Sequence, residues 1–179
     1  MTLESLLLFC AAGLLLNLTP GPDVLYVVSS ALRGGVRAGV VAALGITAGC
    51  FVHIVPATVG VSALLAASSM AFTVLKWLGA AYLVFVGTRL LRSKDQGAIK
   101  LEAAHAESKR ATGQNDYKSV FLRGFWTNAL NPKVALFFLA FLPQFIAPTI
   151  AHKSLAFLGL GLLFTFNGLW VNMGWGLAA

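Results

Sequence analysis

Asn17-Leu18-Thr19-Pro20-Gly21-Pro22-Asp23 interrupts an otherwise apolar run. Two prolines this close together cannot lie in an unbroken helix: each lacks an N–H donor, and each ring clashes with the carbonyl four residues back. Gly21 between them adds backbone freedom. A carboxylate, Asp23, follows at once. In hydrocarbon a broken helix and a single charge are tolerated only where they line a polar cavity or are buried in protein. The stretch therefore reads as one half of an intramembrane site. The expected second half is Asn128-Ala129-Leu130-Asn131-Pro132-Lys133, where a break and a charge recur with opposite sign.

Working outward, 58% of the 179 residues are hydrophobic and only 11% are charged, against about 25% charged in a soluble domain. The apolar residues fall in long runs, so the fold class is all-α integral membrane, a helical bundle, and not a soluble enzyme. The first run does not read as a removable signal peptide, since no Lys or Arg precedes it. The net charge of +7 does not point to nucleic acid: no basic face is interleaved with exposed aromatics, and the basic residues gather in two short connections. Cys10 and Cys50 lie in separate apolar segments and read as small buried hydrophobes. No Cys/His spacing points to a metal site, and nothing calls for a cofactor.

About 20 apolar residues cross the hydrocarbon as a helix, which predicts five spans: Leu3–Leu32 (interrupted at Pro20–Pro22), Gly39–Ala66, Ala71–Leu91, Val120–Ile146 (interrupted at Pro132) and Ser154–Ala178. Arg33 and Arg37 fall between the first two. Arg92, Lys94, Lys100, Lys109, Arg110, Lys118 and Arg123 fall between the third and fourth. Positive connections stay cytoplasmic, so the N-terminus is expected outside. The chain divides into a first half (1–92), a polar cytoplasmic linker (93–118) and a second half (119–179). Three spans precede the linker and two follow it, so a sixth is expected to be missing.

Gly13-x-x-x-Asn17 before Pro20 is echoed by Gly124-x-x-x-Asn128 before Pro132. These lie in the first span of each half, and those spans run in opposite directions. Paired, interrupted spans of this kind mark an inverted repeat and point to its binding site. Asp23 and Lys133 each lie ten residues from a cytoplasmic arginine, or about 15 Å along a helix. That puts both near the middle of the ~30 Å core, where pairing would offset the cost of charge. The site residues expected to bind substrate and protons are Asn17, Thr19, Pro20, Gly21, Pro22, Asp23, Asn128, Asn131, Pro132 and Lys133. The freed N–H groups at the breaks would hold a carboxylate or carbonyl. His53 reads either as a proton relay or as a satisfied core side chain. Gly45-x-x-x-Gly49 has the spacing of close helix packing. Lys76 and Arg89 read as interface anchors, and Asn167 and Asn172 as interhelical glue or cavity lining.

Asn17 to Asp23 resembles the signature of the LysE/RhtB amino-acid exporters. Gly45-x-x-x-Gly49 with His53, Lys76 to Tyr82 with Gly87, Asn131-Pro132-Lys133, and Phe138 to Phe145 follow that family's order across the whole chain. The resemblance implies a bacterial inner-membrane secondary transporter of six spans in two inverted halves. It would export amino acids or close derivatives, such as threonine, homoserine or its lactone, driven by the proton gradient. It implies no enzymatic activity. The expected partners are a small amino-acid substrate, protons and membrane lipid, with a homo-oligomer admitted. One intramembrane acid favours a neutral amino acid over a strongly cationic one. Export of a metal cation and transmembrane thiol electron transfer are the competing readings. The first would call for more anionic or soft ligands, the second for a cysteine in each half.

Overall fold

The computed structural model describes residues 2–67, 116–146 and 150–179, with scattered helical residues from 70 to 88. Most of the expected third span (Ala71–Leu91), most of the linker, Lys76, Tyr82, Gly87 and Arg89 lie outside the described residues.

Helix α1 (Leu3–Leu18) starts at Thr2, whose hydroxyl oxygen accepts from Ser5 N at 3.2 Å. It stops where Thr19 turns extended (φ −65, ψ 117) ahead of Pro20. Helix α2 (Pro22–Ala67) then begins with proline in its first turn, where the missing N–H is no loss. The break expected at Pro20–Pro22 is thus present.

α2 is two helices joined at a kink, where Gly35 has φ 72 and ψ −178, a left-handed backbone that favours glycine. The chain folds back there. A β-carbon on Gly39 would lie 2.8 Å from that of Ala31, whereas eight residues of straight helix span about 12 Å. The arms 22–34 and 36–67 are therefore antiparallel, with Arg33 and Arg37 exposed at the turn. They correspond to the inner part of the first expected span and to the second.

Helix α3 (Tyr117–Ala129) is capped by Asp116, which accepts from Lys118 N at 3.2 Å. Its first turn overlaps the end of the expected linker. Leu130 and Asn131 break the rod. Helix α4 (Pro132–Leu136) restarts it and runs on through a π turn (Phe137–Phe141) and a 3₁₀ turn (Leu142–Phe145). The two segments are bent 46° apart. Helix α5 (Lys153–Ala178) is long and apolar enough to cross a membrane; by length and composition so is the stretch Pro22–Gly60, most of it in the arm that follows Gly35, and the bent pair is a third such unit.

Contacts fix the relative directions. Along the two broken spans Phe9 meets Phe145, Lys133 meets Leu16, Asp23 meets Asn128, and Tyr26 meets Val120. One number rises as the other falls, so these spans are antiparallel, as an inverted repeat requires. The arm 36–67 runs parallel to α3: a β-carbon at Gly45 or Gly49 would strike the carbonyls of Phe121 or Phe125. The Gly45-x-x-x-Gly49 pattern is a backbone-to-backbone seam.

Lipid tails are as apolar as leucine, so packing and not the hydrophobic effect holds such a bundle. Much of that packing is aromatic. Phe9, Phe137, Phe138, Phe157 and Phe164 are buried with Ile54 and Leu142. Phe137 and Phe164 stack at 4.4 Å, and Phe138 meets Phe164 edge-on at 5.4 Å. This cluster sits on the side of the two breaks nearer the N-terminus of α1, and Phe164 also walls the cavity described next.

Candidate functional site: a polar cavity between two broken helices

Asp23 and Lys133 occupy equivalent places. Each follows the proline that restarts a helix, Pro22 or Pro132, and each is only 8% exposed. Asn17 and Asn128 are likewise equivalent, next to last in α1 and α3.

Each charged group takes its hydrogen bonds from the opposite break. Asp23 Oδ2 accepts from Asn128 Nδ2 at 3.0 Å and from Asn131 Nδ2 at 3.1 Å. Lys133 Nζ donates to Leu16 O at 3.0 Å and Thr19 O at 3.2 Å. Those carbonyls belong to the open C-terminal end of α1, where a cation complements both lone pairs and dipole. Asp23, in the first turn of α2, has the favourable dipole end for an anion. The direct ion pair expected between Asp23 and Lys133 is not formed. Amide donors gather around one charge and backbone carbonyls around the other, so each is stabilised by its own socket.

Asn131 does two jobs: its Oδ1 accepts from Lys133 N at 3.0 Å, capping α4, while its Nδ2 serves Asp23. At the end of α3 the carbonyl of Asn128 accepts from Asn131 N at 2.8 Å and also lies 2.9 Å from His53 Nε2. A carbonyl can only accept, so Nε2 carries the proton. The ring also stacks on Phe138, with centroids 6.2 Å apart. His53 thus bonds to the backbone of the residue whose side chain holds Asp23.

Of the remaining expected residues, Gly21 is where close approach matters: a β-carbon there would sit 3.2 Å from Lys133 Nζ. Thr19 contributes its carbonyl, while its hydroxyl turns back to Leu15 O at 2.6 Å. Pro20, Pro22 and Pro132 are exposed and shape the breaks without lining the cavity.

Asn17, Asp23, Asn128 and Lys133 line one cavity with Thr47, Cys50, Thr165, Gly168 and Asn172. Its free space is about 20 Å³, room for about one water. Among the described residues, three buried polar atoms here have no partner: Asn17 Nδ2, Asp23 Oδ1 and Asn128 Oδ1. Leaving a buried polar atom unpaired costs about 1–3 kcal/mol, so the three leave hydrogen-bonding capacity unfilled around one cavity. Thr47, Thr165 and Gly168 carried no signal of their own in the sequence. Gly168 lies against Asn17, where a β-carbon would come within 3.2 Å of its Oδ1. Cys50, read as a buried hydrophobe, is buried and lines the cavity, and Asn172 lines it too. Asn167 does not. Both cysteines are free thiols.

Residues 14–177 match the family described as LysE type translocator. The chain is 33% identical over 144 residues to an uncharacterized membrane protein of Bacillus subtilis, covering 80% of this chain and 69% of that one. It is 36% identical over 146 residues to an uncharacterized membrane protein of Pseudomonas aeruginosa, covering 82% and 66%. A homoserine/homoserine lactone efflux protein of Salmonella typhimurium is 34% identical over 148 residues, covering 83% of this chain and 68% of that protein. The chain therefore spans about two thirds of the length of these relatives. No solved structure matches it.

Proposed function

We propose, because this chain belongs to the LysE-type translocator family, that it exports a small zwitterionic amino acid from the cytoplasm, and that the substrate binds in the cavity between the two breaks. The observation that carries this reading is the set of unpartnered atoms. Asp23 Oδ1 and Asn128 Oδ1 are acceptors and suit an ammonium group. Asn17 Nδ2 is a donor and suits a carboxylate. Lys133 spends two N–H groups on Leu16 and Thr19, and an ammonium has three, so one remains for the same carboxylate. One buried acid and one buried base sum to zero, matching a zwitterion's net charge.

The cavity is too small for an amino acid as it stands. Substrate entry requires the two broken spans to part, which agrees with rocking of one repeat against the other around a fixed site. The aromatic cluster about Phe137 and Phe164 closes one side. The glycine contact between Gly39 and Gly176 lies towards the Gly35 turn. By the positive-inside rule that turn, with Arg33 and Arg37, is cytoplasmic and the N-terminus is outside; the bacterial relatives favour the plasma membrane as the one crossed. Export against a gradient needs a coupling ion. A proton on Asp23 is the natural one, since protonation would release the ammonium while the amides keep the carboxyl in place.

The test is efflux from cells loaded with a panel of amino acids, with and without an uncoupler. Faster efflux of small neutral amino acids than in cells without the chain, lost on uncoupling, is the expected result. Efflux indifferent to the chain would overturn the reading.

A further inference from the structure

The asparagines of the repeated Gly-x-x-x-Asn motif line the cavity and its glycines do not. Each glycine precedes its asparagine by four residues, so it lies one turn further from the break on the same helix face. At both positions an aromatic ring fills the place of the missing side chain. A β-carbon on Gly13 would stand 3.2 Å from Phe164 Cδ2, and one on Gly124 would stand 3.3 Å from Tyr26 Cε1. Gly124 packs helices as well, since the same β-carbon would come within 2.7 Å of Ala42 O.

The two rings stand at opposite ends of the site. Phe164 walls the cavity on the side of the aromatic cluster and stacks on Phe137 at 4.4 Å. Tyr26 lies towards the Gly35 turn, three residues after Asp23. It packs against the cluster that holds Ile46, another wall of the cavity, and its hydroxyl donates to Val120 O at 2.8 Å. Phe164 comes from α5 and rests on α1; Tyr26 comes from α2 and rests on α3. Each ring is therefore released only when those helices part. The cavity passes its own movement on: Gly13 is one turn from Asn17 on α1, and Phe137 is one turn from Lys133.

We propose that the two glycines seat the two gates of the transport route, the ring of Phe164 on the outer side of the cavity and the ring of Tyr26 on the cytoplasmic side, and that they open one at a time. This rests on the export reading, which supplies the two sides, and adds to it the route and the residues that close it. The gates are unlike. A phenyl ring has no hydrogen bond to make, so Phe164 is held by packing alone. Tyr26 is held by packing and by its bond to Val120 O, so the cytoplasmic gate is latched.

Cys50 is the reporter, because it lines the cavity between the rings and is a free thiol. Cys10→Ala leaves it as the single cysteine of the chain. In that background the rate at which a charged, membrane-impermeant methanethiosulfonate labels Cys50 is measured from each face, in right-side-out and inside-out vesicles. Phe164→Ala should speed labelling from the outer face, and Tyr26→Ala from the cytoplasmic face, by at least about fivefold, each leaving the other face within about twofold. Two milder variants keep the ring. Gly13→Ala pushes Phe164 off its seat, and Tyr26→Phe removes only the latch; each should show the same sidedness, by about two- to tenfold. Labelling sped equally from both faces would mark general loosening and overturn the gates. So would rates unchanged in all four variants, or the reverse sidedness. Side-specific labelling in vesicles that accumulate no amino acid would instead defeat the export reading itself.

Discussion

The two breaks differ most where they are most alike. Both stop a helix after an asparagine, both restart it on a proline, and both put a charged residue next. The first break spans Thr19, Pro20 and Gly21 and leaves backbone carbonyls open. The second spans only Leu130 and Asn131, and Asn131 fills it with an amide side chain. The first is therefore a socket for a cation and the second a socket for an anion. Each receives the charge carried by the other half. A repeated backbone has been given unlike linings, and the result is a dipolar cavity where a symmetric one would favour a symmetric guest.

The sharpest way to break this comparison is to exchange the charges. The double variant Asp23→Lys with Lys133→Asp keeps both signs near the midplane but faces each with the wrong socket. It should lose export entirely and fold poorly, as read by uptake and by thermal unfolding in detergent. Recovery of export would show that only charge balance matters. Next in size is Lys133→Met, which strands two half-buried carbonyls at up to ~1–3 kcal/mol each. A loss of up to about 2–6 kcal/mol in stability is expected, again by thermal unfolding. His53→Leu removes one hydrogen bond from the carbonyl of Asn128, which Asn131 N still partners at 2.8 Å, and should cost about 0.5–1.5 kcal/mol, with His53→Gln recovering much of it because an amide can donate to the same oxygen. Smallest is Thr19→Val. Its hydroxyl bonds only its own helix, so export should stay within about twofold of wild type; a large loss would mean that the side chain, and not the carbonyl, serves the site.

The prolines, the charges and the polar residues beside them were legible in the sequence, because hydrocarbon makes each of them costly anywhere but a cavity. The relative directions of the described spans follow the same way, from where Arg33, Arg37 and Arg123 fall. Other features were not legible. The expected Asp23–Lys133 pair is replaced by separate sockets, since the lysine stem reaches the open end of α1, which depends on how the spans cross. Thr47, Thr165 and Gly168 join the cavity only through packing of α2 and α5, and a threonine in an apolar helix normally just bonds back to the preceding turn. The sharp reversal at Gly35 and the π turn at Phe137–Phe141 likewise depend on tertiary contacts that periodicity does not carry.

A zwitterion held between Asp23 and Lys133 at the crossing of two broken helices must lose its grip when the acid loses its charge. Uptake of labelled homoserine into inside-out vesicles, wild type against Asp23→Asn at equal abundance, tests it most directly. The amide keeps the shape of the carboxylate but removes its charge. The account predicts saturable, uncoupler-sensitive uptake by the wild type and a fall of at least ~100-fold in the variant, the equivalent of ~2.7 kcal/mol. Equal uptake by the two would contradict it.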